Sequence, residues 1–267
     1  MEENKMATAP IKKLVLTTGI PLMISLLISN LYNFVDSIFV AHISEKALTA
    51  LSLANPIQVL MSALGMANAV GLNAAISKAL GKKDQKEVEQ TATSAIWLAF
   101  IFWLILATLS LLILKPYFLS QSNHNLEITN YGISYLRICM LASLGVMGQW
   151  VFDRFTISSG KTHLFLITLS SGAIVNIILD PIFIFGYFGL PQMGIQGAAI
   201  ATVIGQFVGA IMGIIINKKY NKEIPIHFSL IPDFKCVKNI LSVGVPSGIA
   251  ITNTGINLFN PGKNPEE

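Results

Sequence analysis

The hydrophobic pattern divides the chain into seven long apolar segments separated by short polar stretches. The segments cover about residues 14–41, 52–77, 92–114, 128–153, 162–188, 195–217 and 238–259. Each has about 20 residues or more, the length that a helix needs to cross the hydrocarbon core of a bilayer. Charged, Gly- and Pro-containing stretches such as KALGKKDQKEVEQ and GYFGLPQMGIQG lie between them and are typical of loops. The pattern predicts an all-α, polytopic membrane protein with seven transmembrane helices.

The composition supports a membrane environment. Hydrophobic residues make up 53% of the chain and charged residues only 12%, whereas soluble domains carry about 25% charged residues. One soluble core cannot hide so much apolar surface, so we expect the lipid bilayer to surround the protein. The formal net charge of +4 is small and scattered along the chain, so we expect no nucleic acid partner.

The positive charges are distributed unevenly between the two sets of loops. If the N-terminus is inside, fourteen Lys and Arg residues fall on the cytoplasmic side and two, Lys46 and Lys115, on the outer side. Cytoplasmic loops of membrane proteins carry an excess of Lys and Arg. We therefore expect a multi-pass protein of the cell membrane with a cytoplasmic N-terminus.

A carboxylate interrupts the first apolar segment, which reads VLTTGIPLMISLLISNLYNFVDSIFVA. A carboxylate inside a spanning helix is costly unless it faces protein or water, and Asp36 therefore marks a functional site by default. The alternative is that Asp36 lies just beyond the membrane edge and is solvated. Pro21 removes a backbone hydrogen bond within the same helix and so permits a kink, although it could instead only shape the start of the helix.

A second lone carboxylate, Asp180, lies at a similar depth in the fifth segment. If both helices rise outward from about residues 14 and 162, Asp36 lies about 33 Å and Asp180 about 27 Å along its helix. Asn33 and Asn176 precede the two acids by three and four residues, which puts each amide on the face of its acid. Such a set can bind a proton or a small cation between two helices. The alternative is that these groups only hydrogen-bond across a packed bundle.

The sequence does not indicate other kinds of chemistry. Cys139 is predicted in a helix and Cys236 in a cytoplasmic loop, so we expect no disulfide between them, and no Cys and His residues have the spacing of metal ligands. The motifs HExxH and GxSxG of hydrolytic enzymes are missing from the sequence. We therefore expect no enzyme activity, no catalytic residue and no cofactor apart from a coupling ion.

The first and seventh segments repeat each other. KKLVLTTGIPLMIS opens the first segment and VKNILSVGVPSGIA opens the seventh, so that Gly19–Pro21 aligns with Gly244–Pro246. Both segments start on the cytoplasmic side, which indicates a parallel repeat of six-helix units, as is found in transporters. We expect an N-terminal six-helix lobe at 1–220, a cytoplasmic inter-lobe loop at 221–237, the first helix of an incomplete C-terminal lobe at 238–259, and a polar tail at 260–267.

These segments resemble the N-terminal lobe of a multidrug and toxic compound extrusion (MATE) transporter, closest to its DinF-like branch. The resemblance covers about residues 10–258, and it rests on GIPLMIS, YNFVDSIFVA, LGMANAVGLNAAISKALGKKD, ISSGKTH, NIILDPIFIFG and GIQGAAIATVIGQ. It implies two six-helix lobes around a central cleft. It also implies secondary active antiport, in which H⁺ or Na⁺ flows inward while an organic, often cationic, compound leaves.

The resemblance also implies roles for individual residues. Asp36 corresponds to the first-helix acid that is linked to protonation and helix bending, and Pro21 corresponds to the bending proline. Asn176 and Asp180 match the polar pair of the cation site of this lobe, and Thr202 matches the sixth-helix hydroxyl of that site. The expected ion-coupling site comprises Asp36, Asn33, Asn176, Asp180 and Thr202. No metal ion is expected apart from Na⁺ at Asp36, Asn176 and Asp180.

The chain would provide only seven of the twelve helices of such a transporter. The resemblance therefore implies a missing C-terminal lobe as the partner of this one, with a small organic substrate between them. Two alternatives remain. One is a lipid-carrier flippase of related architecture, and the other is an inactive truncated membrane protein.

Overall fold

The protein is an all-α structure, as the hydrophobic pattern predicts. The computed structural model describes residues 11–225 and 231–259, and the predicted polar tail at 260–267 lies outside these residues. Within the described ranges there are helices and no strand. The helices are α1 (Ile11–Ala41), α2 (Glu45–Gly81), α3 (Gln85–Leu112), α4 (Leu114–Gln121), α5 (Leu126–Leu141), α6 (Leu144–Ser158), α7 (Thr162–Phe185), α8 (Ile195–Tyr220) and α9 (Phe234–Phe259), with a short 3₁₀ helix at Tyr187–Gly189.

The described helices provide up to seven membrane spans. Six of them, α1, α2, α3, α7, α8 and α9, are each long and apolar enough to cross a membrane. The pair α5 and α6 passes the same criterion only when taken together. The number of spans and their order therefore agree with the sequence prediction.

The fourth span is broken rather than continuous. The sequence predicts one helix over 128–153, but α5 ends at Leu141 and α6 begins at Leu144, with a bend of 46° between them. The indole Nε1 of Trp103, on α3, donates a hydrogen bond to the carbonyl oxygen of Leu141 at 2.7 Å. This bond satisfies a carbonyl that the end of α5 leaves without a helical partner, so a neighbouring helix stabilises the break.

Polar side chains define where several helices begin. Ser44 accepts a hydrogen bond from the backbone N–H of Ala47 at the start of α2, and Asp84 accepts one from Glu87 at the start of α3. Asn125 accepts from two backbone N–H groups at the start of α5. Such N-caps satisfy donors that the first turn of a helix leaves unpaired, so short polar loops are sufficient to separate the spans.

The bundle has one end that is rich in lysine. Helices α2, α6 and α8 end there, and α3, α7 and α9 begin there. At this lysine-rich end Lys161 forms an ion pair with Glu223 at 3.3 Å and donates to the carbonyl oxygen of Tyr220 at 3.0 Å. Because α9 begins at Phe234, the buried Cys236 lies in the first turn of a helix and not in the predicted loop.

Helices α7 and α8 approach each other closely at two glycines. A Cβ atom on Gly205 would lie 2.7 Å from the carbonyl oxygen of Gly172, and a Cβ atom on Gly172 would lie 2.7 Å from the carbonyl oxygen of Gly205. Only glycine fits such a contact between two backbones. The contact fixes the distance between the two helices that carry the predicted cation site.

Helix α1 lies at the edge of the bundle. It packs chiefly against α7, and large apolar side chains such as Met23 and Leu27 are 66% and 69% exposed. Most of its surface therefore faces away from the rest of the described chain. A helix that is held mainly by one neighbour can move with little loss of packing.

Candidate functional site

A large cavity opens between α1, α2, α5, α6, α7, α8 and α9. Its volume is about 950 Å³, and α1 contributes Tyr32, Asn33 and Asp36 to the lining. Amide and aromatic side chains of the other helices also line it: Asn55, Gln58, Tyr135, Gln149, Trp150, Asn176 and Gln206. A drug-sized ligand usually occupies a pocket of roughly 300–1,000 Å³. The cavity is therefore large enough for a small organic molecule.

Asp36 lies on the wall of this cavity and is itself buried. Its side chain is 9% exposed, and its Oδ1 atom has no hydrogen-bond partner among the described residues. Asp36 is therefore not a solvated residue of a loop, which was the alternative interpretation of the sequence. A buried carboxylate oxygen without a partner is costly, and it needs a proton or another cation.

The predicted polar pair of α7 is in direct contact. The Nδ2 group of Asn176 donates to Oδ1 of Asp180 at 3.3 Å and to Oγ1 of Thr202, on α8, at 3.4 Å. Asn176 is 3% exposed and Asp180 is fully buried. The spacing of four residues on one helix thus brings the amide of Asn176 and the carboxyl group of Asp180 together. The close contact of α7 and α8 at Gly172 and Gly205 places the hydroxyl of Thr202 within reach of Asn176.

Oxygen atoms on both helices are open to a cation. Oδ1 of Asn176 and Oδ2 of Asp180 are buried without a hydrogen-bond partner among the described residues, like Oδ1 of Asp36. Helix α1 packs chiefly against α7, so Asp36 and the Asn176–Asp180 pair lie on neighbouring helices. Carboxylate and amide oxygens are hard ligands of the kind that Na⁺ prefers, and a carboxylate also binds a proton. No group of three or more His, Cys, Asp or Glu among the described residues has the arrangement of a metal site.

Asn33 does not pair with Asp36. Its Nδ2 group donates to the carbonyl oxygen of Ser29, one turn earlier on α1, at 2.8 Å, and the side chain is exposed. Sharing a face of α1 with Asp36 therefore does not make Asn33 its partner. Asn33 lines the cavity, whereas Asp180 is not one of its lining residues.

Pro21 leaves α1 continuous but changes its hydrogen bonding. A proline has no N–H, so the carbonyl oxygen of Thr17 loses its helical donor. The hydroxyl of Thr162, at the start of α7, donates to that oxygen at 3.4 Å. Ser25 donates to the carbonyl oxygen of Pro21 at 2.7 Å. The proline therefore creates a contact between α1 and α7 at the lysine-rich end.

A contact between α2 and α5 in the wall of the cavity was not predicted from the sequence. Gln58 donates to the phenol oxygen of Tyr135 at 3.2 Å, and both residues line the cavity. The second apolar segment contains Asn55, Gln58, Asn68 and Asn73, but the sequence does not distinguish lining from packing residues among them. Asn68, in the same segment, instead bonds the carbonyl oxygen of Ala95, on α3.

Comparisons with known proteins agree with this architecture. Residues 21–182 match the model of the MatE family. The chain is 31% identical over 255 residues to a probable multidrug resistance protein NorM of Thermotoga maritima, and the match covers 93% of this chain and 54% of that protein. It is 26% identical to the multidrug export protein MepA of Staphylococcus aureus, which it matches over 94% of this chain and 56% of that protein.

Solved structures show the same fold. A MOP superfamily transporter from Pyrococcus furiosus Vc1 is 25% identical, with a TM-score of 0.86 over 97% of this chain and 57% of that chain. A MATE family transporter in an outward-facing conformation is 24% identical, with a TM-score of 0.88. The chain thus spans about half the length of the relatives that it matches. The family model, the relatives and the seven-span fold all show that the chain belongs to the MATE (MatE) family of multi-pass membrane transporters.

Proposed function

We propose that this chain forms the N-terminal lobe of an antiporter that exports organic, often cationic, compounds in exchange for H⁺ or Na⁺. The observation that carries the proposal is a set of three buried oxygens, on Asp36, Asn176 and Asp180, that have no hydrogen-bond partner in the described part of the chain, together with a cavity of about 950 Å³ that Asp36 and Asn176 line. The names of the relatives, a multidrug resistance protein and a multidrug export protein, support the same class of substrate.

The proposed coupling depends on the position of α1. The cation would bind between Asp36 on α1 and the Asn176–Asp180 pair on α7, so it would hold the two helices together. Without it, each helix carries a buried carboxylate oxygen that has no hydrogen-bond partner among the described residues, and the attraction that holds α1 against α7 is lost. Because α1 packs chiefly against α7, a change in this interaction acts directly on the position of α1, with Pro21 as the point where the helix bends.

The proposed partners are the lipid bilayer, a small organic substrate and a second lobe. The exposed apolar side chains of α1 suit lipid or a second lobe equally well. We further propose that the lysine-rich end faces the cytoplasm of a cell membrane, since positive loops are retained on that side. Organic cations would bind against the acid and the aromatic rings of the wall, Tyr32 and Trp150 among them.

A lipid-carrier flippase is less well supported. Such a relative should present a basic central cavity. The described lining of this cavity contains Asp36 and neither Lys nor Arg. An anionic lipid headgroup would therefore meet a carboxylate, so the export of cations remains the better proposal.

Cation binding can be tested on this chain alone. A cation that binds only the folded state raises stability by RT ln(1 + [L]/Kd), which is about 2.7 kcal/mol at a hundredfold excess over Kd. We expect Na⁺ or mild acid to raise the melting temperature of the purified chain in detergent. Asp36→Asn and Asp180→Asn should each remove most of this rise, whereas Glu127→Gln, a change at an exposed carboxyl, should retain it.

Transport can be tested in a chain that carries both lobes. Efflux of a cationic dye from vesicles should follow an imposed H⁺ or Na⁺ gradient, and Asp36→Asn and Asp180→Asn should slow it at least tenfold. If both variants transport like the parent protein, the site assignment is wrong. If the gradient has no effect on any variant, antiport itself is wrong.

A further inference from the structure

A third carboxyl group lies inside the bundle, away from the Asp36–Asp180 site. Asp153, on α6, is only 3% exposed. The predicted fourth segment, 128–153, ends at this residue, so Asp153 is not among the intramembrane acids that the sequence predicts. It lies one helical turn beyond Gln149, which lines the cavity, and its partner Thr168 precedes Leu169, which also lines the cavity. Asp153 is therefore just below the cavity, on the side of the lysine-rich end.

The hydroxyl of Thr168 lies between two oxygen atoms. It is within hydrogen-bond distance of Oδ1 of Asp153 and 2.8 Å from the carbonyl oxygen of Phe165. A threonine hydroxyl has one hydrogen and can donate to only one of them. Both contacts are satisfied together if the carboxyl group is protonated, because its O–H then donates to Thr168 while Thr168 donates to Phe165.

The charged surroundings of Asp153 allow either protonation state. No ion pair among the described residues includes Asp153. Arg154, the next residue on α6, is the charged group that acts on it, but its guanidinium extends towards the sulfur of Met66, on α2, at 3.7 Å. Thr168 faces it from α7, and from α8 Asn217 bonds the neighbouring carbonyl of Phe152.

The buried hydroxyl groups in the last turns of α6 bond to their own helix and not to the carboxyl group of Asp153. Thr156 donates to the backbone carbonyl of Asp153 at 2.7 Å. Ser158 lies 2.7 Å from the carbonyl oxygen of Arg154, and Ser159 lies 2.9 Å from that of Phe155. Among the described residues, the hydroxyl that contacts the carboxyl group is therefore that of Thr168.

One face of α7 contacts both acidic sites, the one at Asp153 and the one at Asp36 and Asp180. Thr168, Gly172, Asn176 and Asp180 follow each other at intervals of four residues and lie on one side of the helix. Thr168 and Asp180 are about 18 Å apart along the axis at 1.5 Å per residue. The two sites are therefore too distant to share one proton, but both contact the same helix.

We propose that Asp153 is a second proton-binding carboxyl group of this lobe. When the proton leaves to the solvent, the Thr168 hydroxyl turns from the carbonyl oxygen of Phe165 to the carboxylate. Thr168 is a positioning residue, since it holds the carboxyl group in either state. This site is distinct from the proposed cation site and does not depend on transport.

Infrared difference spectroscopy of the purified chain in detergent tests this proposal. Spectra recorded across a pH titration show the C=O band of a protonated, buried carboxyl group. The measurement is made in the Asp36→Asn/Asp180→Asn double variant, so that the proposed cation site does not contribute. We expect a band that disappears at high pH and that is missing when Asp153→Asn is added.

Variants of Thr168 keep the test informative if Asp153→Asn does not fold. Thr168→Val removes the hydroxyl and should shift the band, whereas Thr168→Ser retains the hydroxyl and should leave it in place. The proposal is overturned if no titrating band depends on Asp153, or if Thr168→Val leaves the band and its titration unchanged. Either result leaves the Asp36–Asp180 proposal intact, since those acids are absent from the measured protein.

Discussion

Replacing Gly205 with alanine should separate the two helices that carry the proposed cation site. The added Cβ atom would lie 2.7 Å from the carbonyl oxygen of Gly172 and 3.1 Å from Cβ of Asn176. The first distance is far shorter than a normal carbon–oxygen contact, and both partners are parts of the helices themselves. No side chain can rotate away, so α7 and α8 must move apart.

The expected loss of stability follows from this contact. Overpacking a well-packed interior by one methyl group typically costs about 1–3 kcal/mol. We therefore expect Gly205→Ala to lower the melting temperature of the chain in detergent by several degrees. The same shift should lengthen the contact of Asn176 and Thr202, which is 3.4 Å already, so the stabilisation by Na⁺ or by acid should also become smaller.

A matched variant separates the steric effect from the change of residue type. Gly81 ends α2, and a Cβ atom there would have no neighbour within 4 Å. Gly81→Ala should therefore melt at or above the temperature of the parent chain. If Gly205→Ala also melts like the parent and binds cations equally well, the proposed spacing of α7 and α8 is incorrect.

Three further substitutions test other parts of the fold by thermal unfolding in detergent. Asn217→Ala removes hydrogen bonds to the carbonyl oxygens of Phe152 and Gly213 and should cost about 1–3 kcal/mol, because buried groups lose their partners; an unchanged melting temperature would contradict the contact. Phe118→Ala removes a fully buried ring and should cost about 3–5 kcal/mol, so a milder loss would mean that α4 is not packed as described. Lys46→Ala breaks an exposed ion pair with Glu127 and should have no measurable effect at physiological salt, whereas a clear loss would show that this pair is structural.

Hydropathy was sufficient to find the spans, because each helix must be apolar over the full thickness of the bilayer. It also identified Asp36 and Asp180, since a lone carboxylate is easily recognised in an apolar segment. The contact of Asn176 with Asp180 followed from their spacing on a single helix. These features depend only on local sequence, and the structure has them where they were expected.

Features that depend on contacts between helices could not be predicted. The break after Leu141 is stabilised by Trp103 on another helix, and hydropathy does not change across it. Asn33 precedes Asp36 by three residues, a spacing that places the two side chains on one face of the helix, yet it bonds to the backbone of its own helix. Asp153 lies at the end of an apolar segment, where hydropathy cannot distinguish a buried acid from one in a loop.

The bond of Thr162 to Thr17 has a consequence for how easily the first helix changes shape. A bend at Pro21 that moves α1 away from the start of α7 would break this hydroxyl–carbonyl bond, and one such bond contributes only about 0.5–1.5 kcal/mol. The polar connection at this end of the helix is therefore weak, and the position of α1 is set mainly by its packing against α7.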